Sequence, residues 1–182
     1  MSAAAGIPAV EEVVAAYEAL SAGSGEPPAT PLVSLLVELH ANNVAQWRRE
    51  DAARSSDGDD AAVAAAKRDI DQLNAHRHRL LEAIDAEIAV FLRDNPSAPP
   101  STETPAMAYD RLSVLVTRIS FTQQAAVVHP DGDLAARLPM LSEQLGVLSE
   151  AITVLLDELR TGRKRYVPYA SFKLYGSPPP PS

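Results

Sequence analysis

Residues Leu134–Thr161 read LAARLPMLSEQLGVLSEAITVLLDELRT, the expected extent of one helix, and their spacing decides the fold. Leu138, Leu141, Leu145, Leu148, Ile152, Leu155 and Leu159 follow one another at alternating intervals of 3 and 4 residues. An α-helix turns about 100° per residue, so this rhythm holds the seven side chains on one stripe. The stripe is expected to face a core built by other helices, with a homodimer interface as its alternative use. Gly162 follows as the expected C-cap, with Arg160, Arg163, Lys164 and Arg165 near the negative end of the helix.

Four more helices follow by the same reading, giving an all-α, up-and-down bundle of four to five long helices with an irregular aromatic C-terminal tail. The first is expected over about Pro8 to Leu20, with Val10, Val13, Val14 and Tyr17 apolar. SAGSGEPPATP interrupts the chain with Gly and Pro, and a long second helix begins near Pro31 behind Thr30 and carries on past Trp47 to Arg54. The turn SSDGDD precedes a third helix, about Asp59 to Arg93, whose apolar side holds Val63, Ile70, Leu73, Leu81, Ile84, Ile88 and Phe91. DNPSAPPSTETP ends it. The fourth helix runs about Pro105 to Val128, and HPDGD turns into the fifth. The tail RYVPYASFKLYGSPPPPS is expected to pack on the bundle through Tyr166, Tyr169, Phe172 and Tyr175. One domain over 1–176 with a Pro-rich, disordered 177–182 is the expected organisation.

Composition narrows the function. Apolar residues make up 46% and charged residues 22%, ordinary for a globular domain, but aromatics are 5%, so aliphatic side chains must fill the core. The net charge of −8 argues against broad binding to nucleic acid or to an anionic membrane. No cysteine occurs, which excludes disulfides, thiolate catalysis and cysteine-based zinc sites. MSAAAGIPAVEEVV lacks the basic n-region and apolar run of a signal peptide, and no window reaches the roughly 18 apolar residues of a membrane span. A cytoplasmic protein is expected.

The second helix holds the chemistry. In LHANNVAQWRREDAAR (Leu39 to Arg54), His40, Asn43, Trp47, Asp51 and Arg54 step by 3, 4, 4 and 3 residues, the spacing of a core-facing stripe. With Glu50 they fall in an arc of roughly 100°, shared with Leu32, Val33 and Leu36. Gln46, Arg48 and Arg49 point elsewhere and are expected to be surface. On the third helix Lys67, Asp71, Asn74, His78, Glu82 and Asp85 form a polar row beside the apolar side, with Arg77 among the apolar residues. The short turn makes the two helices antiparallel neighbours, so Glu50, Asp51 and Arg54 are expected to meet Lys67, Asp71 and Asn74. Unpaired burial of such groups costs several kcal/mol each, so they must satisfy one another or a ligand.

Other constellations are weaker. Thr102, Glu103 and Thr104 before Pro105 read as a capped helix start; their alternative is an anion site joined by Asp110 and Arg111. Arg54, Lys67, Arg77 and Arg111 would supply its cations. His40, Glu50, Asp51, Asp71 and Asp85 are metal-ligand types, but no Glu-x-x-His pair of the di-iron kind occurs, and no metal or other cofactor is expected. His76 and His78 diverge by about 200° on the helix, which rules out a shared metal and leaves one of them for the surface. His129, in a turn, is expected to be exposed. No nucleophilic triad or phosphate loop is present.

Four blocks together carry a resemblance: LHANNVAQWRREDAAR, KRDIDQLNAHRHRLLEAID (Lys67 to Asp85), STETPAMAYDRLSVL (Ser101 to Leu115) and YASFKLYGSP (Tyr169 to Pro178). Over roughly residues 36 to 176 the chain resembles the bacterial domain of unknown function 4254 family. Members commonly read Arg-Asn-Asp where this chain has Arg77, His78 and Arg79, and Tyr-Asn-Asp-Pro where it has Tyr175, Gly176, Ser177 and Pro178. If those positions touch a ligand, this branch takes a different one. Some relatives are encoded near glycosyltransferases for cell-surface glycans, so the resemblance implies glycan or nucleotide-sugar metabolism, without a stated reaction.

The expected function is therefore a buried polar pocket for a small anionic ligand, in a protein that could be an enzyme. His40, Glu50 and Asp51 are its candidate catalytic groups. Asn43, Trp47, Arg54, Lys67, Asp71, Asn74, Arg77, Asp110 and Arg111 are its candidate ligand-binding groups. A non-catalytic scaffold with a purely structural polar network is the competing expectation.

Overall fold

The leucine seam folds as expected into α5 (Leu134–Arg160), preceded by α1 (Val10–Ser21), α2 (Pro31–Ser55), α3 (Asp60–Ala89) and α4 (Pro105–Val128). The computed structural model describes residues 6–24, 28, 30–55, 60–130, 132–168 and 170, with backbone only at 54, 55, 60 and 62. Expectations for Tyr169, Phe172, Tyr175 and the segment 177–182 lie outside the described residues. Among the described residues there is no strand, only an isolated bridge between Pro100 and Arg165. No helix there is long and apolar enough to cross a membrane.

Two antiparallel hairpins, α2–α3 and α4–α5, make up the bundle, and α1 packs on α2, α4 and α5. Ile152, Leu155 and Leu159 of the seam are buried against Leu36, Leu39, Ile84, Ile88, Leu112 and Val116 from the other helices, while Leu145 and Leu148 pack at the core's edge. Burial of each such side chain contributes roughly 1.5–3 kcal/mol. Val10, Val13 and Tyr17 close the core from α1.

The connection from α3 to α4 is tied to the stretch after α5. The Arg165 amide donates to Pro99 O at 3.1 Å, the Ser101 amide donates to Arg165 O at 2.7 Å, and the Asn95 side-chain amide donates to Gly162 O at 2.7 Å. Gly162 adopts φ 71°, the left-handed position that ends α5. The tail's first aromatic residue, Tyr166, packs against the core and donates to Asp85 O at 3.3 Å.

Two expectations for α3 need correction. It ends at Ala89, because Phe91 and Leu92 turn tightly onto Ile88 O and Ala89 O and the Arg93 amide bonds Leu159 O instead of continuing the helix. Near its start Val63 is exposed rather than packed, while Ile70 and Leu73 further along are half-buried.

Candidate functional site

His40 stands in the middle of α2, where the apolar stripe turns polar, and the three helices around it bury it completely, 0% exposed. Its ring stacks on Tyr17 of α1 with centroids 4.4 Å apart and planes 11° from parallel. Nε2 lies 2.9 Å from Ser21 Oγ of α1, and Nδ1 lies 3.0 Å from Ser113 Oγ of α4. Burial lowers the imidazole pKa to about 4, so the ring is neutral at pH 7. Asn43 also donates to Ser113 Oγ, so this serine joins the imidazole to Asn43.

One turn further along α2, Asn43 links this cluster to a charge pair. Its amide donates to Ser113 Oγ at 3.0 Å and to Asp110 Oδ1 at 2.9 Å. Arg77 of α3 grips the same carboxylate in a fork: Nε donates to Oδ1 at 2.8 Å and Nη2 to Oδ2. Asp110 is nearly inaccessible, its side chain 7% exposed, whereas the Arg77 side chain keeps 30% of its surface. A bidentate, charge-assisted pair of this kind is both strong and directional. The polar groups thus form one chain of contacts across the bundle, Arg77–Asp110–Asn43–Ser113–His40–Ser21.

Arg77 and Val114 also line two neighbouring cavities. A small one of about 160 Å³ is completed by Asn43, Gln46, Trp47 and Glu50. A groove of about 680 Å³ runs along α4 and α5, where Arg111, Arg118, Glu143 and Gln144 border an apolar floor. The indole of Trp47 stacks on Phe121 at 5.7 Å, which fixes one wall of the small cavity. Gln46 Nε2 donates to Glu50 Oε1 at 3.1 Å, presenting an amide and a carboxylate together. A small polar guest could be held here by an indole face, two amides, a carboxylate and a guanidinium. His40 lines neither cavity.

The start of α4 is closed to an outside anion. Thr104 caps it by accepting from the Met107 amide at 3.2 Å, and buried Asp85 of α3 accepts from the Ala106 amide at 2.9 Å. Asp85 is thus the anion that this helix start receives. Arg111 turns outward and is forked by Glu103 at 2.8 and 3.0 Å. The described residues contain no group of three His, Cys, Asp or Glu side chains that could hold a metal.

Comparison with protein families places the chain. The family described as "Protein of unknown function (DUF4254)" matches residues 33–167. The chain belongs to this family. No curated protein and no solved structure matches it. The matched span takes in His40, Asn43, Arg77, Asp110 and Ser113, while Tyr17 and Ser21, the α1 partners of His40, precede it.

Within this DUF4254 chain the expected site residues divide into three groups. His40, Asn43, Arg77 and Asp110 come together through direct bonds, and Trp47 and Glu50 join Asn43 and Arg77 around the small cavity. Asn74 is half-buried on α3. Asp51, Lys67, Asp71 and Arg111 are exposed, and the Arg54 side chain lies outside the described residues. The expected meeting of Lys67 and Asp71 with the end of α2 is therefore corrected. The helices do run antiparallel, but Lys67 and Asp71 of α3 face solvent, and among the described residues Arg49 and Asp69 form an ion pair there at 3.3 Å. His76 meets Glu38 at 3.0 Å at the surface, and His129 is exposed, both as anticipated.

Four participants escaped the sequence reading. Gln46, expected on the surface, is half-buried and lines the small cavity. Its place four residues before Glu50 is the signal that was available. Ser113, Ser21 and Tyr17 carry no such signal, because their roles arise from contacts 73, 19 and 23 residues away from His40 in the chain.

Proposed function

We propose that this protein is a small-molecule-binding helical bundle whose site is the cavity at Arg77, and that its ligand is small, polar and anionic. The observation that carries this reading is the double position of Arg77. Its guanidinium is oriented by Asp110 and yet remains partly open, at the boundary of two cavities. A guanidinium held in place before a ligand arrives loses little entropy on binding. Asn43, Gln46 and Glu50 supply donors and acceptors for hydroxyl groups, and Trp47 supplies an apolar face. These groups suit a phosphate- or carboxylate-bearing sugar derivative, in keeping with a role in glycan, nucleotide-sugar or secondary metabolism.

If the site is catalytic, Glu50 is the acid–base group that touches the guest, since it lines the cavity. His40 acts only as a positioning residue, through Ser113 and Asn43. Asp51, Lys67, Asp71, Asn74 and Arg111 are then outside the first contacts of the ligand. A second reading, a non-catalytic scaffold, is favoured by the closure of the polar chain on itself, in which each group already has a partner.

Trp47 is the only tryptophan of the chain, so its fluorescence reports on this cavity. Titration with inorganic phosphate, citrate and a nucleoside-diphosphate sugar is expected to give a saturable change with at least one of them. Arg77→Ala should weaken it about tenfold or more, the worth of a charged hydrogen bond. A flat response throughout, with Arg77→Ala and Asn43→Ala both grossly destabilised, assigns the cluster to the scaffold reading.

A further inference from the structure

Ser21 is half-buried and has two sides. On the inner side its Oγ lies 2.9 Å from Nε2 of the wholly buried His40. On the outer side it lines a cavity of about 180 Å³, where the last turn of α1 meets α2 and α4. Leu20, Val44 and Phe121 give this cavity apolar walls, and Phe121 is held by its stacking on Trp47. Arg48, Ser21, Ser120 and Gln124 supply its polar groups, and all four can donate a hydrogen bond.

Charge sets this cavity apart. No acidic side chain lines it, whereas Glu50 lines the small cavity at Arg77, and Asp110 and Glu143 line the α4–α5 groove. Acids outnumber bases in the chain, 24 to 16, and neighbouring Arg49 pairs with Asp69. Arg48 nevertheless makes no hydrogen bond or ion pair with any described residue. The negative end of α1 is masked as well. The carbonyls of Glu18, Ala19 and Leu20 are taken by the amides of Ala22, Ser24 and Gly23 at 2.9, 2.9 and 3.0 Å. Gln124 Nε2 gives one hydrogen to Ser120 Oγ at 3.1 Å and carries a second. An unpaired cation and further donors therefore stand beside an apolar wall, the complement of a carboxylate on an apolar body.

We propose that this cavity is a second ligand site, specific for a small organic carboxylate, and that its occupation is recorded in the proton position of His40. Arg48 meets the carboxylate, and Ser21 donates its single proton to it. Ser21 Oγ can then only accept from the imidazole. The ring proton is thereby placed on Nε2, and Nδ1 is left to accept from Ser113. The apolar body lies on Leu20, Val44 and Phe121. An apolar cavity of about 150 Å³ admits a benzene ring, so this one has room for a ring or short chain with its carboxylate. The site does not depend on the one proposed at Arg77, since the two cavities have no lining residue in common.

Nitrogen NMR of histidine-labelled protein tests both parts, with benzoate as the probe. The Ser21→Ala spectrum identifies the ring signals of His40 among the four histidines. At pH 7 this ring is neutral, because burial lowers its pKa to about 4, so its protonated and bare nitrogens differ in shift. Saturable binding at millimolar benzoate is expected, ending with the proton on Nε2. Benzyl alcohol lacks the charge and inorganic phosphate lacks the apolar body, and each should bind about tenfold or more weakly. Arg48→Ala should weaken benzoate by a similar factor, and Arg49→Ala should leave it unchanged. Both arginines are exposed, so neither variant threatens the fold. No saturable response to benzoate overturns the proposal. So does binding indifferent to Arg48→Ala, or a bound state with the ring proton on Nδ1.

Discussion

His40 shows how a single side chain changes meaning between sequence and structure. In the sequence it is a candidate base at the head of a polar stripe. In the structure it is a neutral ring stacked on Tyr17 and held at both nitrogens by serines. The consequence is measurable. Burial holds its folded pKa at about 4, below the ordinary 6.5, so between those values the unfolded chain takes up a proton that the folded chain refuses. Stability is therefore full above about pH 6.5, falls as the pH drops through this window, and levels off below about pH 4. The contribution at stake is about 3 kcal/mol. Urea unfolding at a series of pH values should show this slope, and His40→Gln should remove it. The inward aim of His40 was legible from its spacing with Leu36 and Asn43. Its neutralisation was not, because the serines and the tyrosine responsible come from α1 and α4.

At the scale of elements, local chemistry sufficed for the ends that the chain itself closes. Thr104 with Pro105 starts α4 where the pattern places it, and Gly162 stops α5. At Gly162 two constraints coincide: φ is 71°, and an added Cβ would stand 3.1 Å from Arg93 Cδ. Gly162→Ala is therefore expected to cost at least about 1 kcal/mol, read as a lowered thermal midpoint, whereas the same change at solvent-facing Gly146 should be neutral or stabilising. The end of α3 was misjudged because the signal there is tertiary: the Arg93 amide finds Leu159 O on α5. The polar row of α3 was misjudged for a related reason. Periodicity says which residues share a side of a helix, but not whether another helix covers that side. Arg77 and Asp85 are met by α4, and Lys67 and Asp71 are not.

Across the whole molecule, α1 to α5 share a core in which Ile84, Leu112 and Ile152 interlock. Ile84→Ala should cost about 2–5 kcal/mol and lower one cooperative unfolding transition, while two separate transitions would show that the α2–α3 and α4–α5 hairpins fold independently. What the sequence by itself determined is the set of helices, their antiparallel order, the inward aim of His40 and Asn43 on α2 and the membership of the DUF4254 family. Those follow from periodicity, turn residues and motif, all local properties of the chain. Only the tertiary structure decided that Arg77 closes on Asp110, that Asp85 caps α4, that Gln46 joins Trp47 at a cavity and that Lys67 and Asp71 stay in solvent. The physical reason is reach. A hydrogen bond or an ion pair is made within a few ångströms, and which groups come that close is set by how helices far apart in the chain are laid against one another.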